Sequence, residues 1–232
     1  MKSFLLIIGL SIFSLTTQSQ ILITLLFGDK LNSDGVEFGL SGGYNISNIN
    51  GLETKNSLGT FNMGFYFDIR LKNQWYLYTG LLAKSKLGVD KLSTKDIEFL
   101  NTDTYPTNGN YSQELNYFLV PILGRYKFKN HIYLEGGTQV GLMYKSWVEY
   151  NSDIDGKKAI VKEYNTQKVN KIEAGLMLGL GYTLFKGTGW TIGAKYYYGL
   201  TNVYKDRKGT NNSSLFIVLN IPIGVGEKPK KK

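Results

Sequence analysis

The sequence predicts an all-β protein, an eight-stranded antiparallel up-and-down β-barrel that crosses a membrane, and three observations predict it. Segment after segment alternates apolar and polar residues with a period of two. The connections between those segments alternate short and long. Beyond the N-terminus no stretch reaches about 18 uninterrupted apolar residues, so strands have to do any crossing. Composition agrees: 27 Gly, 4 Pro, 17 Tyr, 12 Phe and 3 Trp in 232 residues suit strands and tight turns better than helices. No linker or shift in composition divides the chain, which reads as one domain.

The chain opens on "MKSFLLIIGLSIFSLTTQSQ": one Lys, an apolar stretch from Phe4 to Leu15, then small and polar residues. Residues 1–19 read as a secretory signal peptide cut near Ser19, its apolar part being too short for a spanning helix. Because "ILITLLF" follows, a signal anchor is the alternative. Residues 20–34 then form a mature N-terminal segment expected at the periplasmic mouth, residues 35–226 the barrel, and residues 227–232 a basic periplasmic tail.

The first strand, "GVEFGLSGGYNIS", sets Val36, Phe38, Leu40, Tyr44 and Ile46 against Glu37, Ser41 and Asn45. The second, "TFNMGFYFDIRL", sets Phe61, Met63, Phe65, Phe67, Ile69 and Leu71 against Asn62, Tyr66, Asp68 and Arg70. The third, "WYLYTGLLAKSK", is ambiguous in register, apolar residues falling on both faces; Leu77, Thr79, Leu81 and Ala83 are placed outward. The fourth, "NYFLVPILGRYKF", opposes Phe118, Val120, Ile122, Tyr126 and Phe128 to Tyr117, Arg125 and Lys127, with a bulge or irregularity expected at Pro121. The fifth, "IYLEGGTQVGLMYK", opposes Ile132, Leu134, Val140, Leu142 and Tyr144 to Tyr133, Glu135, Gln139 and Lys145. The sixth, "KIEAGLMLGLGYTL", sets Leu176, Leu178 and Leu180 against Lys171, Glu173 and glycines. The seventh, "WTIGAKYYYGLT", opposes Ile192, Ala194, Tyr196 and Tyr198 to Lys195 and Tyr197; the eighth, "SLFIVLNIPIGV", carries Leu215, Ile217, Leu219, Ile221 and Ile223 on its apolar face.

Turns after strands two, four and six are short ("KNQ", "KNH", "FKGTG"), whereas residues 48–58, 87–114, 147–169 and 202–213 make long polar connections at the other end. That is the outer-membrane arrangement, with short turns periplasmic and long loops outside the cell. A soluble secreted lipocalin-like binding barrel, the alternative, has no reason to keep the asymmetry. Aromatics fall at strand ends as interfacial girdles require: Trp75, Tyr76, Phe128, Tyr182 and Trp190 toward the short turns, Tyr44, Phe61, Tyr144 and Tyr198 toward the long loops. The apolar face is therefore expected to meet lipid.

Five segments, "GVEFGLSGGYNIS", "YLYTGLLAKSKLG", "LNYFLVPILGRYKF", "YLEGGTQVGLM" and "AKYYYGLTNV", carry a family pattern: Tyr117 with Pro121, Glu135 with Gly137, and Tyr197 with Leu200 and Asn202. In them the chain resembles the small outer-membrane β-barrel proteins of the Bacteroidota, of the PorT-like kind. The resemblance covers about residues 35–226 and implies the architecture, together with a structural or interaction role in which some members serve secretion or gliding. It implies no catalytic residue. The chain departs from the pattern at its end, running on into "GEKPKKK" where a strand-terminal aromatic would stand.

Chemistry is sparse. Cysteine is absent, which excludes disulfides, thiol catalysis and lipid attachment at a Cys. Lys and Arg total 27 against 18 Asp and Glu, a formal +9, but they are dispersed and form no nucleic-acid motif. His131, the only histidine, lies beside a short turn and reads as a turn or girdle residue. "NSDIDGKKAIVKE" begins like a calcium loop at Asn151, Asp153, Asp155 and Gly156, but Lys162 stands where a bidentate Glu is needed. An Asp-Gly turn between "WVEYNSDI" and "KKAIVKEY" accounts for the same residues. No cofactor or metal is expected, and the chain reads as non-enzymatic.

The inward charges say more. Glu37, Asp68, Arg70, Arg125, Glu135 and Lys195 are expected in the periplasmic half of a lumen that eight strands leave filled by side chains, as a salt-bridged plug. Toward the outer end Lys84, Lys145 and Lys171 outnumber Glu173; they read first as a solvated rim, with binding of an anionic partner such as lipopolysaccharide phosphate as the alternative. The expected partners are outer-membrane lipid and envelope or secretion proteins. A structural barrel with a closed lumen predicts no conductance; a small pore or ligand-binding barrel, the competing reading, predicts conductance or a ligand.

Overall fold

The computed structural model describes residues 31, 33, 35–154, 157–187 and 189–223; the signal peptide, nearly all of the 20–34 segment and the basic tail lie outside them. Nine strands and two short helices follow in order: β1 (Val36–Ile49), β2 (Leu58–Lys72), β3 (Trp75–Val89), α1 (Thr94–Leu100), β4 (Asn110–Lys127), β5 (Ile132–Ile154), β6 (Lys157–Tyr164), β7 (Ile172–Thr183), α2 (Leu184–Gly187), β8 (Thr191–Gly199) and β9 (Asn212–Pro222). Eight of them close a ring, β1-β2-β3-β4-β5-β7-β8-β9, in which every neighbour is antiparallel and β9 returns to pair with β1. The ninth, β6, pairs only with the upper part of β5, from Trp147↔Tyr164 to Ile154↔Lys157. It forms an arm above the ring, on the segments that flank Asp155-Gly156.

Alternation decides which residues meet which environment. Leu134, Val140, Leu142, Leu176, Leu178, Leu180, Ile192 and Ile217 are exposed on the outer wall, while Asn45, Asn62, Asp68, Arg125, Glu135, Gln139, Lys195 and Asn220 are buried within. An apolar outside around a polar inside inverts a soluble protein and fits a barrel in lipid. Trp75, Phe128, Tyr182 and Trp190 are exposed at the short-turn end, and Tyr44, Phe61, Tyr144 and Tyr198 at the other. Tyr76, expected in the lower girdle, turns inward instead: it pairs with Arg125, and Lys127 Nζ lies 4.1 Å from its ring. Residues with positive φ, Asn73 (53°) and His131 (70°), make two of the short turns tight.

Two bulges alter the simple period, and neither is at Pro121. Pro121 pairs with Gln139 in unbroken register on the β5 side, while on the β3 side the ladder skips it, between Thr79↔Ile122 and Leu82↔Leu119, without a change of register: the expected irregularity is there, as a gap and not a bulge. The ladder shifts instead between Leu82 and Ser85 on β3 and between Asn116 and Tyr117 on the β4–β5 pair, where Tyr144 is the extra residue. An extra residue moves everything beyond it to the other face. Lys84, Lys86 and Lys145 consequently face outward, and Ser85, Leu87 and Ser146 are buried inside.

The long connections are folded. Leu52, Leu92, Ile97, Leu100, Val169, Val203 and Tyr204 from the loops pack with Ile49, Leu87, Val89, Leu115 and Val148 from the strand tops into an apolar core that caps the barrel. Asp96 on α1 ties this cap together. Its carboxylate accepts from the backbone N–H of Glu53 (2.9 Å) and Thr54 (3.0 Å) and from the Ser93 hydroxyl (2.9 Å), which in turn accepts from the Asp96 N–H (3.1 Å) in a capping box. Burial pushes the Asp96 carboxyl up, but the hydrogen bonds from Glu53, Thr54 and Ser93 outweigh it and hold it below the ordinary value of 3.8. A lowered carboxyl contributes stability that is complete above its unfolded-state pKa and is lost as pH falls through the folded one. Asp96→Ala is expected to loosen the cap by about 1–3 kcal/mol, read as faster tryptic cleavage at Lys91 and Lys95; the wild-type cap should become similarly sensitive to an acid-active protease only below about pH 4.

Candidate functional site in the barrel interior

Neighbouring strands bring the inward charges of the lower barrel together. Arg125 on β4 stands directly opposite Glu135 on β5; Gly179 on β7 separates Glu135 from Lys195 on β8. Arg125 Nε and Nη2 donate to Glu135 Oε2 at 2.8 and 2.6 Å, and its Nη1 donates to Asp68 Oδ2 at 2.9 Å. Lys195 Nζ lies 3.0 Å from Glu135 Oε1, and Lys127 Nζ 2.7 Å from Asp68 Oδ2. The Arg125 guanidinium is sandwiched by the rings of Tyr78 (4.0 Å) and Tyr133 (4.3 Å), and Lys195 Nζ sits 3.7 Å from the Tyr78 ring. Room for Tyr133 comes from Gly181 and Gly193, where an added Cβ would lie 2.3 and 2.4 Å from its ring or hydroxyl.

Of the six charges expected here, Asp68, Arg125, Glu135 and Lys195 form one cluster. Glu37 lies beside it but accepts from a phenol, Tyr66 Oη at 2.9 Å. Arg70 is not part of it. Two residues nearer the turn than Asp68, it reaches the mouth and is exposed among Asn73, Gln74, Tyr76 and Lys129. Lys127 takes that place, so Arg125, Lys127 and Lys195 balance Glu37, Asp68 and Glu135. Arg125 makes three charge-assisted hydrogen bonds to two carboxylate oxygens, which offset its desolvation, while Asp68 Oδ1 is buried without a hydrogen-bond partner among the described residues.

Above this layer the interior narrows. The gap lined by Ser41, Tyr78, Leu82, Gln139, Lys195 and Phe216 measures about 10 Å³, roughly what one water requires. Ser41 Oγ and both amide atoms of Gln139 face no protein partner there. Leu82, Leu119, Met177, Phe216 and Val218 fill the next level. Higher still is Glu173, 1% exposed, which accepts from Tyr197 Oη (2.8 Å) and Asn212 Nδ2 (3.0 Å) and forms no ion pair among the described residues. A network of Gln113, Ser146, Asn165 and Tyr204 then lies beneath the cap, with Asn165 Nδ2 donating to Gln113 Oε1 at 2.7 Å.

The outer lysines do not form an inward rim. Lys84 and Lys145 face outward because of the two bulges, and Lys171 is exposed at the top of β7, its carbonyl accepting from Met143 N–H. His131 makes an edge contact with Tyr182 at 6.3 Å. Asn151 and Asp153 lie in ladder pairs with Ile160 and Lys158, an extended hairpin and not a calcium loop; Asp155 and Gly156 lie outside the described residues. Among the described residues no group of three or more His, Asp or Glu side chains is placed to hold a metal.

A family model described as "Outer membrane protein beta-barrel domain" matches residues 19–205, most of the chain. The chain belongs to this outer-membrane β-barrel family. The family places it in the outer membrane, with lipid around the ring. No curated protein matches. Solved structures similar to this family member include Ail, the attachment invasion locus protein of Yersinia pestis, at 14% identity and a TM-score of 0.45 over 82% of this chain and 99% of that one. Neisserial surface protein A aligns at 10% identity and 0.43 over 81% and 99%. OprG from Pseudomonas aeruginosa aligns at 12% and 0.35 over 81% and 93%.

Proposed function

We propose that this outer-membrane barrel is a non-enzymatic structural or interaction protein that keeps its lumen shut and meets envelope partners through its folded outer cap. One observation carries this reading: an ion-paired, aromatic-lined layer crosses the lumen beneath an interior gap of about 10 Å³ and an apolar cap. Water and ions have no continuous route through such packing, and the buried charges have partners that reaction chemistry would require them to leave. The resemblance to PorT-like Bacteroidota barrels supports the more specific reading, service in secretion or envelope assembly.

Planar-bilayer recording on the purified barrel tests closure. The expected result is no unitary current above the lipid baseline, and a steady conductance would establish the pore instead. Affinity capture from detergent-solubilised outer membranes, comparing wild type with Asp96→Ala, tests the cap: partners that bind the cap should be recovered with wild type and lost with the variant.

A further inference from the structure

Lys84 is unlike the other outward lysines near it. Lys86 pairs with Glu114 at 2.6 Å, and Lys145 Nζ lies 4.8 Å from the Tyr164 ring. The Lys84 ammonium has no ion pair, hydrogen bond or ring contact with any described residue. Its level is set by its neighbours. It pairs with Met63 on β2, one outward position below the Tyr44–Phe61 contact (5.0 Å), and the 83–84 stretch lies across from Phe118, which stacks on Tyr144 at 4.7 Å. An unneutralised ammonium thus stands within the upper aromatic girdle, where hydrocarbon gives way to headgroups.

The same ammonium ends an apolar groove. Gly42, Tyr44, Met63, Ile217 and Leu219 line about 660 Å³ of it on the lipid-facing wall, and Lys84 is the one charged residue of its lining. The floor is Gly42, whose outward position would admit a Cβ with no atom nearer than 3.9 Å. A hydrocarbon-lined trough ending on an unpaired cation matches an amphiphile with an anionic head.

We propose that this groove seats one phosphorylated glycolipid of the outer leaflet, with an acyl chain lying over Gly42 and a headgroup phosphate on Lys84. The lysine stem lies along the trough and carries the ammonium to the phosphate. The site is on the lipid-facing wall and is independent of whether the lumen is closed.

Native mass spectrometry of the barrel released from phosphatidylcholine vesicles tests this, with diphosphoryl lipid A, dephosphorylated lipid A or phosphatidylglycerol as the minor component. Wild type should retain diphosphoryl lipid A in preference to the other two. Lys84→Gln should lower its retention about five-fold, the effect of one basic residue at a headgroup surface, and Lys84→Arg should preserve it. Gly42→Leu, which fills the trough and keeps the charge, should also lower it. Heat-modified gel mobility shows whether each variant has folded, and the comparison of the three lipids on wild type decides the matter if Lys84→Gln has not. Equal retention of phosphatidylglycerol or dephosphorylated lipid A, or retention unchanged in folded Lys84→Gln or Gly42→Leu, would overturn the proposal.

Discussion

Arg125→Met is expected to destabilise the barrel by about 3–5 kcal/mol, the usual cost of leaving buried carboxylates without their main partner. Asp68 would keep only Lys127, which is partly solvated, and Glu135 only Lys195. Tyr78 and Tyr133 would lose the cation they enclose. Urea titration in lipid vesicles, followed by tryptophan emission, measures the loss. The triple variant Asp68→Asn, Glu135→Gln, Arg125→Met should recover much of it, because the charges that made the single change costly are gone. A single variant within about 0.5 kcal/mol of wild type would mean that water or lysine rearrangement neutralises the site and that the layer does not hold the lumen closed.

Leu178→Arg should cost about 2–4 kcal/mol in a bilayer, the penalty for a cation on the lipid face near the midplane. Leu178 is 71% exposed near the centre of β7, with Leu176 and Leu180 beside it on the same face. Ile160→Arg is the control. Ile160 is 54% exposed but lies on β6, above the ring, where water is the solvent and the change should stay within about 0.5 kcal/mol. The two sites differ little in exposure, so only the medium around them separates the outcomes. Equal effects would place both in water.

Strand identity and facing were legible in the sequence because a lipid-exposed wall enforces alternation, as in Phe61 to Leu71 and Ile172 to Leu184. Bulges were not legible. Nothing in "LLAKSK" or "LMYKSW" marks where an extra residue enters, so Lys84 and Lys145 read as inward and are outward. Arg125, Asp68, Glu135 and Lys195 could be gathered by counting from the turns, but Arg70 could not be distinguished from Lys127 without knowing how far the mouth reaches. The cap lay hidden in segments whose polar composition resembles solvated loops, although Ser93 followed three residues later by Asp96 is a readable helix start. What concealed the core was its dispersal: Leu52, Ile97, Val169 and Val203 come from four separate connections.

The seam between β1 and β9 has a consequence for biogenesis. The Ser214 hydroxyl donates to the Ile46 carbonyl at 3.2 Å, a residue 168 positions earlier in the chain, so β9, the last of the ring strands in chain order, is the one that removes the last two open edges. Vectorial folding during synthesis or export therefore leaves the ring open, and the polypeptide has to be held back from self-association until β9 arrives. Truncation before Asn212 would leave a splayed sheet for the cell's insertion and proteolytic machinery to sort.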